Sequence, residues 1–240
     1  MPLTREAVVT AAVRLLRQDG LDALSLRKLA AELQVSAPTL YWHVRSKREL
    51  LDLVADRLVA DQRIWAGRAG GPAPDQPWWE WLRERAERMF DSLVATRDAP
   101  RVVAGNRPTV ESLPWLDQAL GTLIEAGFPP GDAQQALFAI GSYVIGSATE
   151  WQGEAARAEE GTGTDAKLAV AIRAGEYPHL AAAVGQVARQ PARATFEFGL
   201  GLIIDGLRSR YQPAGATGAA GAAGAGAIGA AGRPARAVAG

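Results

Sequence analysis

Cysteine is missing from the 240-residue sequence, and histidine occurs only twice, as His43 and His179. Without cysteine the chain has no disulfide, no thiolate nucleophile and no Cys-based zinc or iron–sulfur site, and two histidines are too few for a His-rich metal site. An excess of either charge is missing too, because 26 Lys and Arg residues stand against 26 Asp and Glu residues. A generally basic coat protein and a self-repelling disordered chain are therefore excluded, and any nucleic-acid-binding surface must be local.

Long hydrophobic runs are also absent. The most apolar stretch, Ala136 to Thr149, contains Ser142, Tyr143 and Ser147 and is shorter than the roughly 20 residues that cross a bilayer. The N-terminal residues lack the basic and apolar regions of a signal peptide. We expect a cytoplasmic protein with no membrane partner.

Helical periodicity is the main pattern that is present, and no run of alternating β-branched residues indicates a strand. The sequence therefore predicts an all-α fold. In chain order, the predicted helices cover residues 4–20, 25–33, 36–44, 46–65, 78–96, 111–126, 132–156 and 191–211, with short helical pieces between 166 and 190. A Pro-bounded patch at 99–108 is expected to interrupt the helices, and Asp132 is expected to cap the helix that follows it.

The second and third predicted helices are short and are joined by a tight turn at Gln34 and Val35. This is the helix-turn-helix arrangement, whose second helix enters the major groove of DNA. Positive charge is concentrated in the same region, since residues 27–48 hold five cations and only one anion. The first helices therefore present a basic face to phosphates.

The third predicted helix has one apolar side and one side suited to DNA. Because Leu40 and Val44 supply the buried side, the aromatic rings next to them are expected to be exposed rather than part of the core. The exposed side offers hydroxyls, ring N–H groups and methyl or ring surface, and consists of Ser36, Ala37, Thr39, Tyr41, Trp42 and His43. Lys47, at the start of the fourth helix, suits a phosphate; His43 is equally well interpreted as a phosphate contact or as an ordinary surface residue.

The runs SLRKLA (25–30) and PTLYWHV (38–44), followed by Lys47 and Arg48, closely resemble the tetracycline-repressor (TetR) family of bacterial regulators. The resemblance implies a homodimer that binds a palindromic operator and releases it when a small molecule enters a larger C-terminal domain. The positions that match the family's DNA-contacting residues are Arg27, Pro38, Thr39, Tyr41, Trp42, His43 and Lys47. Leu26 and Ala37 replace a Thr and a Gln of the tetracycline repressors, so the operator sequence is expected to differ.

The resemblance continues through residues 79–108 and 194–206, which are similar to the ligand-pocket region and the last dimerisation helix of the tetracycline repressors. It implies effector contacts at Gln62, Arg85, Met89, Val103, Asn106 and Arg107. Trp151 is added because the chain has enough Trp residues to line an apolar cavity, although packing remains the alternative for each of them. Val103 stands where those repressors have a His that coordinates drug-bound magnesium, and its side chain cannot ligate a hard cation. We expect a largely apolar effector other than tetracycline–magnesium, and no cofactor.

Four segments follow from these patterns. Residues 1–48 are the predicted helix-turn-helix domain, 49–65 a connecting helix, 66–211 the ligand-binding and dimerisation domain, and 212–240 a disordered tail in which Ala and Gly are 21 of 29 residues. Glycines interrupt the later helices and suggest close helix approach within one subunit or across a dimer; they are Gly141, Gly146, Gly199 and Gly201.

Three functional classes were compared. An enzyme is disfavoured, because no acid, base and nucleophile converge and no Gly-rich loop follows a strand; we assign no catalytic residue and no metal site. A ligand-responsive repressor accounts for the basic face, the turn and the large second domain together. A regulator that activates, or that works through a protein partner, remains the alternative, and the effector, the operator and the regulated genes are not given by the sequence.

Overall fold

The computed structural model describes residues 3–59, 71–160, 169–172, 177–187 and 189–211, and all regular structure in these ranges is helical. The all-α prediction is therefore confirmed. Several predictions fall outside the described residues: the effector contact Gln62, the end of the connecting helix after residue 59, the loop at 66–70 and the tail at 212–240. In chain order the helices are α1 (Arg5–Asp19), α2 (Leu26–Glu32), α3 (Ala37–Tyr41), α4 (Lys47–Val59), α5 (Trp78–Val94), α6 (Ala99–Val103), α7 (Leu113–Glu125), α8 (Pro130–Glu160), α9 (Pro178–Val187) and α10 (Ala194–Tyr211).

Helix α1 begins and ends as its sequence predicts. The Thr4 side chain accepts a hydrogen bond from the Ala7 amide at 3.1 Å, and Gly20 ends the helix with φ of 80°. The apolar side of the helix, including Val8 and Leu16, is fully buried against the other helices of the N-terminal bundle. The apolar spacing in α1 thus supplies the base on which α2 and α3 pack.

The turn between α2 and α3 is a Schellman motif. The amide of Gln34 donates to the Ala31 carbonyl at 3.1 Å, and the amide of Val35 donates to the Ala30 carbonyl at 3.0 Å. Gln34 adopts φ of 55°, a left-handed conformation that glycine usually supplies. The turn therefore forms here despite the conformational cost of a non-glycine residue.

The patch at 99–108 holds a helix that was not predicted, and one helix start was predicted wrongly. The patch at 99–108 contains the short helix α6, because Pro100 lies in the first turn, where a missing N–H breaks no helical bond. Asp132 does not cap α8, because the helix already begins at Pro130, whose fixed φ suits a first helical position. Asp132 instead lies inside the first turn and accepts a hydrogen bond from the Tyr211 hydroxyl at 2.5 Å.

The C-terminal part is built around α5, which packs against α8 and α10, while α6 packs against α4 and α8. At the centre of the α5, α8 and α10 contact, the Phe90 ring stacks on Phe196 with centroids 4.0 Å apart, and Trp151 meets Phe90 edge-on at 5.7 Å. No helix in the described ranges is long and apolar enough to span a membrane. The position of α6 between α4 and α8 connects the two halves of the chain.

Only some helix glycines lie at close approaches within the protomer. A Cβ on Gly199 would overlap the hydroxyl of Tyr143, which donates to the Phe196 carbonyl at 3.0 Å. A Cβ on Gly141 or Gly146 would meet no atom of the described chain within 4 Å. Packing inside one subunit therefore accounts for Gly199 but not for these two residues of α8.

Candidate nucleic-acid interface and effector region

Helix α3 is short, and its own sequence defines where it begins. The Ser36 hydroxyl caps the helix by accepting from the Thr39 amide at 3.3 Å, and Pro38 lies in the first turn. Leu40 is 1% exposed and Val44 is fully buried, so these two side chains attach α3 to the bundle. The opposite side of α3 is left for solvent or a partner.

That opposite side carries the residues predicted to contact DNA. Tyr41 is 50% exposed and Trp42 is 88% exposed, which is unusual for large aromatic rings on a folded surface. The predicted contact residues that are exposed are Arg27, Ser36, Ala37, Pro38, Thr39, Tyr41, Trp42 and Lys47, and His43 is half-buried. The predicted contacts thus lie on α2, on and around α3 and at the start of α4, and all of them are exposed except the half-buried His43.

The cations of this surface fall into two groups. Lys28 pairs with Asp19 at 2.9 Å, and Arg48 pairs with Asp52 at 3.3 Å. Within the part of the chain that the structure describes, no carboxylate lies within ion-pair distance of Arg27, Arg45 or Lys47. Sequence reasoning counted Arg45 as part of the basic face but did not select it as a contact residue. Because the Arg45 guanidinium is exposed and has no carboxylate partner in the described chain, Arg45 belongs with Arg27 and Lys47 among the cations that can meet a phosphate.

The start of α4 is a variant of the capping box. The Ser46 hydroxyl accepts from the Glu49 amide at 3.1 Å, but the Glu49 carboxylate accepts from the Arg45 amide at 2.8 Å rather than from the amide of Ser46. The same carboxylate pairs with Arg5 at 2.7 Å. An open surface cleft lies here, lined by Arg5, Trp42, His43, Arg45 and Glu49.

Two predicted effector residues lie one turn apart on α5. Arg85 is 8% exposed, and its guanidinium lies 4.7 Å from the centre of the Trp81 ring. Burial, with a smaller contribution from Arg88, lowers the pKa of Arg85 to about 9, so the side chain remains charged at neutral pH. Met89 is half-buried on the next turn.

The other helical effector positions lie on neighbours of α5. Val103 is the last residue of α6, and Trp151 is on α8; both are half-buried. Since α5, α6 and α8 pack on one another, Arg85, Met89, Val103 and Trp151 lie on three mutually contacting helices.

Asn106 and Arg107 lie outside this helical group, in the loop that follows α6. The Asn106 side-chain amide donates to the Leu51 carbonyl of α4 at 3.0 Å, and Arg48 of α4 donates to the Gly105 carbonyl at 2.6 Å. Arg107, one of the effector contacts that the resemblance implies, is exposed on this loop. The loop thus holds α4 by hydrogen bonds that residue spacing alone does not reveal.

Known proteins identify this arrangement. Residues 8–54 match the family model "Bacterial regulatory proteins, tetR family", and residues 71–211 match "Tetracyclin repressor-like, C-terminal domain". The chain belongs to the TetR family. Members of this family are ligand-responsive, DNA-binding transcriptional regulators and not enzymes, so this TetR-family chain is a regulator that responds to a ligand and binds DNA.

Individual relatives of the TetR-family chain cover nearly all of its helical part. The class A tetracycline repressor of transposon 1721 from Escherichia coli is 36% identical over 208 residues, which are 87% of this chain and 92% of the repressor. The structure of a class A repressor with 5a,6-anhydrotetracycline and magnesium has a TM-score of 0.64 at 31% identity, covering 86% of this chain and 99% of that one. Streptomyces coelicolor ActR in complex with actinorhodin has a TM-score of 0.74 at 26% identity, covering 88% and 100%.

Proposed function

We propose that the protein is a repressor that binds a palindromic operator as a homodimer and releases it when a largely apolar small molecule enters the C-terminal helices. Two observations support DNA binding. The exposed side of α3 and the residue after it hold two large aromatic rings in solvent. The same N-terminal helices carry three cations that have no carboxylate partner in the described chain. Uncompensated cations release counterions when they meet phosphates, which drives association with DNA.

Within this surface the residues have two roles. Arg27, Arg45 and Lys47 contact phosphates and set the position of the domain on the duplex. The N-cap residue of α3, the helix itself and the residue after it reach base edges or sugars, and these residues are Ser36, Ala37, Pro38, Thr39, Tyr41 and Trp42. His43, which follows them, contacts a phosphate. Ala37 is exposed at the start of α3 and offers only a methyl group, so it favours a thymine methyl over a hydrogen-bonding base edge.

A second apolar surface supports the homodimer. Phe138 on α8 is 73% exposed, and Phe198 and Leu202 on α10 are 71% and 60% exposed. Helices α8 and α10 pack side by side, and Gly141 and Gly146 have open space where a side chain would begin. A second copy of this surface would bury the apolar rings and let the helices approach closely at the glycines. Phe198→Glu should therefore yield a monomer in light scattering, whereas a dimer that persists would contradict this interface.

The effector is proposed to bind without magnesium, on the helices that carry Arg85, Met89, Val103 and Trp151. Val103 offers no metal ligand, and no group of three or more His, Asp or Glu residues in the described chain is placed to hold a metal ion. Gln62, Asn106 and Arg107 complete the proposed contacts, with Asn106 acting from the loop that holds α4.

The DNA-binding proposal is tested by selecting bound duplexes from a random pool and footprinting the result on the full-length protein. We expect two symmetric protected half-sites bound by a dimer, because one short recognition helix reads too few base pairs alone. A single asymmetric half-site bound by a monomer would refute the proposal. Transcription from a promoter carrying the selected site then separates repression from activation.

The effector proposal is tested by Trp fluorescence with two probe compounds, tetracycline and actinorhodin, each with and without a magnesium chelator. Any compound that binds should do so equally with the chelator and should release the operator. Tight binding of tetracycline with magnesium, abolished by chelation, would show that the interpretation of Val103 is wrong.

A further inference from the structure

The turn between α5 and α6 is held by one side chain of α8. The Gln152 carboxamide donates to the carbonyls of Leu93 at 3.0 Å and Thr96 at 2.8 Å, and it accepts from the amide of Asp98 at 3.1 Å. Both amide hydrogens and the oxygen are therefore used on backbone groups of a single turn. Thr96 is 1% exposed, so water does not readily replace these bonds.

The same turn holds the DNA-binding half from its other side. One carboxylate oxygen of Asp98 accepts from the Leu21 amide at 2.9 Å, and the other accepts from Arg101 at 2.9 Å. Arg101 in turn pairs with Asp22 at 3.1 Å. Leu21 and Asp22 form the turn that leads from α1 into α2, directly before the helix-turn-helix.

The contact between these two turns leaves little room for movement. A Cβ on Gly20 would lie 2.8 Å from a carboxylate oxygen of Asp98, so the backbone of the α1–α2 turn lies against that side chain. Asp98 itself has φ of 58°, a left-handed conformation that Asp tolerates better than most residues. The hydrogen bond from its own amide to Gln152 holds it in this conformation.

We propose that Gln152 is a positioning residue that sets the angle of the DNA-binding domain relative to α8, by fixing Asp98 for its bond to Leu21. This rests on the proposed function, in which two such domains in a dimer read an inverted repeat. Helix α8 also carries part of the proposed dimer face and, next to Gln152, the proposed effector residue Trp151. A change at the dimer face or at the effector site would therefore act through Gln152 on the distance between the two α3 helices of the proposed dimer.

The test compares a full inverted repeat with a duplex in which one half-site is scrambled. Gln152→Met keeps the length of the side chain but removes its donors and its amide oxygen. Binding to the full site depends on the second domain being held at the correct distance, whereas binding to one half-site does not. We expect the affinity for the full site to fall about tenfold, with the half-site affinity unchanged within about twofold. The matched control is Glu154→Gln, at an exposed position of the same helix, which should leave both affinities unchanged.

Equal losses on the full site and the half-site would show that Gln152 only stabilises the fold, and an unchanged full-site affinity would also overturn the proposal. If Gln152→Met shows no cooperative melting, Asp98→Ala, which removes the acceptor of the Leu21 amide, is judged by the same two affinities. If both variants fold, the double variant should lose no more full-site affinity than the single variant with the larger loss. The two substitutions then act on one and the same connection. Failure of the wild-type protein to prefer the inverted repeat over random DNA would refute the proposed function instead.

Discussion

The salt dependence of operator binding tests the division of the cations into paired and unpaired groups. Arg45 has no carboxylate partner in the described chain, whereas Arg14, an arginine on α1 of the same domain, pairs with Glu32 at 2.7 Å. We therefore compare Arg45→Gln with Arg14→Gln, since both variants lose one positive charge per protomer. Only the first is expected to lose a phosphate contact.

The magnitude follows from the number of unpaired cations. Arg27, Arg45 and Lys47 in two protomers give six phosphate contacts, and at about 0.9 counterion per contact the logarithm of the affinity should fall with a slope of about −5.4 against the logarithm of salt concentration. Raising the salt from about 50 to about 200 mM then weakens wild-type binding by about 10³-fold. Arg45→Gln removes two contacts, so its slope is about −3.6 and the same salt step costs only about 10²-fold.

The assay is fluorescence anisotropy of labelled operator at several salt concentrations, repeated with a duplex of random sequence. Arg45→Gln should flatten the slope on both duplexes, because a phosphate contact carries no sequence information. Arg14→Gln should keep the wild-type slope. If Arg45→Gln also keeps the wild-type slope, or if Arg14→Gln flattens it as much, then ion pairing within the protein does not decide which cations meet DNA.

Three further predictions concern the bundle and its connection. Gln34→Gly should raise the free energy of unfolding by about 1 kcal/mol in urea titrations, because glycine adopts φ near 55° without strain. Leu40→Ala should lower it by about 2–5 kcal/mol and abolish operator binding, because Leu40 is 1% exposed and attaches α3 to the bundle. Partial burial raises the pKa of Asp98, but hydrogen bonds from Leu21 and Arg101 outweigh it and hold that pKa below its usual value of 3.8. Asp98 therefore stabilises the fold at neutral pH and loses this contribution as the pH falls through its lowered pKa, and urea unfolding from about pH 6 to about pH 2 should show a smaller acid loss in Asp98→Asn.

Local sequence signals predicted helix starts in the N-terminal bundle and the exposed side of α3 well. Thr4, Ser36 and Ser46, the first residues of three predicted helices, all act as helix caps, because a capping side chain and its amide lie within three residues of each other. The exposure of Tyr41 and Trp42 followed from the spacing of the apolar residues that anchor α3. These predictions succeeded because the deciding contacts are close in sequence.

The sequence patterns did not predict contacts between residues that are far apart in the chain. The Asn106 amide meets the Leu51 carbonyl 55 residues away, and Gln152 meets Asp98 54 residues away, so spacing gave no sign of either bond. A charge count likewise treated Lys28 and Arg45 as equal, although only Lys28 is neutralised by Asp19 in the folded bundle. Net charge along a segment therefore located the basic face without showing which cations are available to DNA.

The N-terminal bundle and α4 are held at two separate places by the segments on either side of α6, and α6 itself ends at the proposed effector residue Val103. The loop after α6 binds α4 through Asn106, and the turn before α6 binds the α1–α2 turn through Asp98. Since α6 lies between these two connections and packs on α8, a displacement of α6 moves both in the same step. An effector that shifts α6 should therefore tilt the whole bundle as a rigid body rather than unfold α3, because the bundle's own core around Leu40 and Val44 is not touched. In the proposed dimer, release of the operator would then come from a changed distance between two intact α3 helices. The comparison of full sites and half-sites measures the effect of this distance.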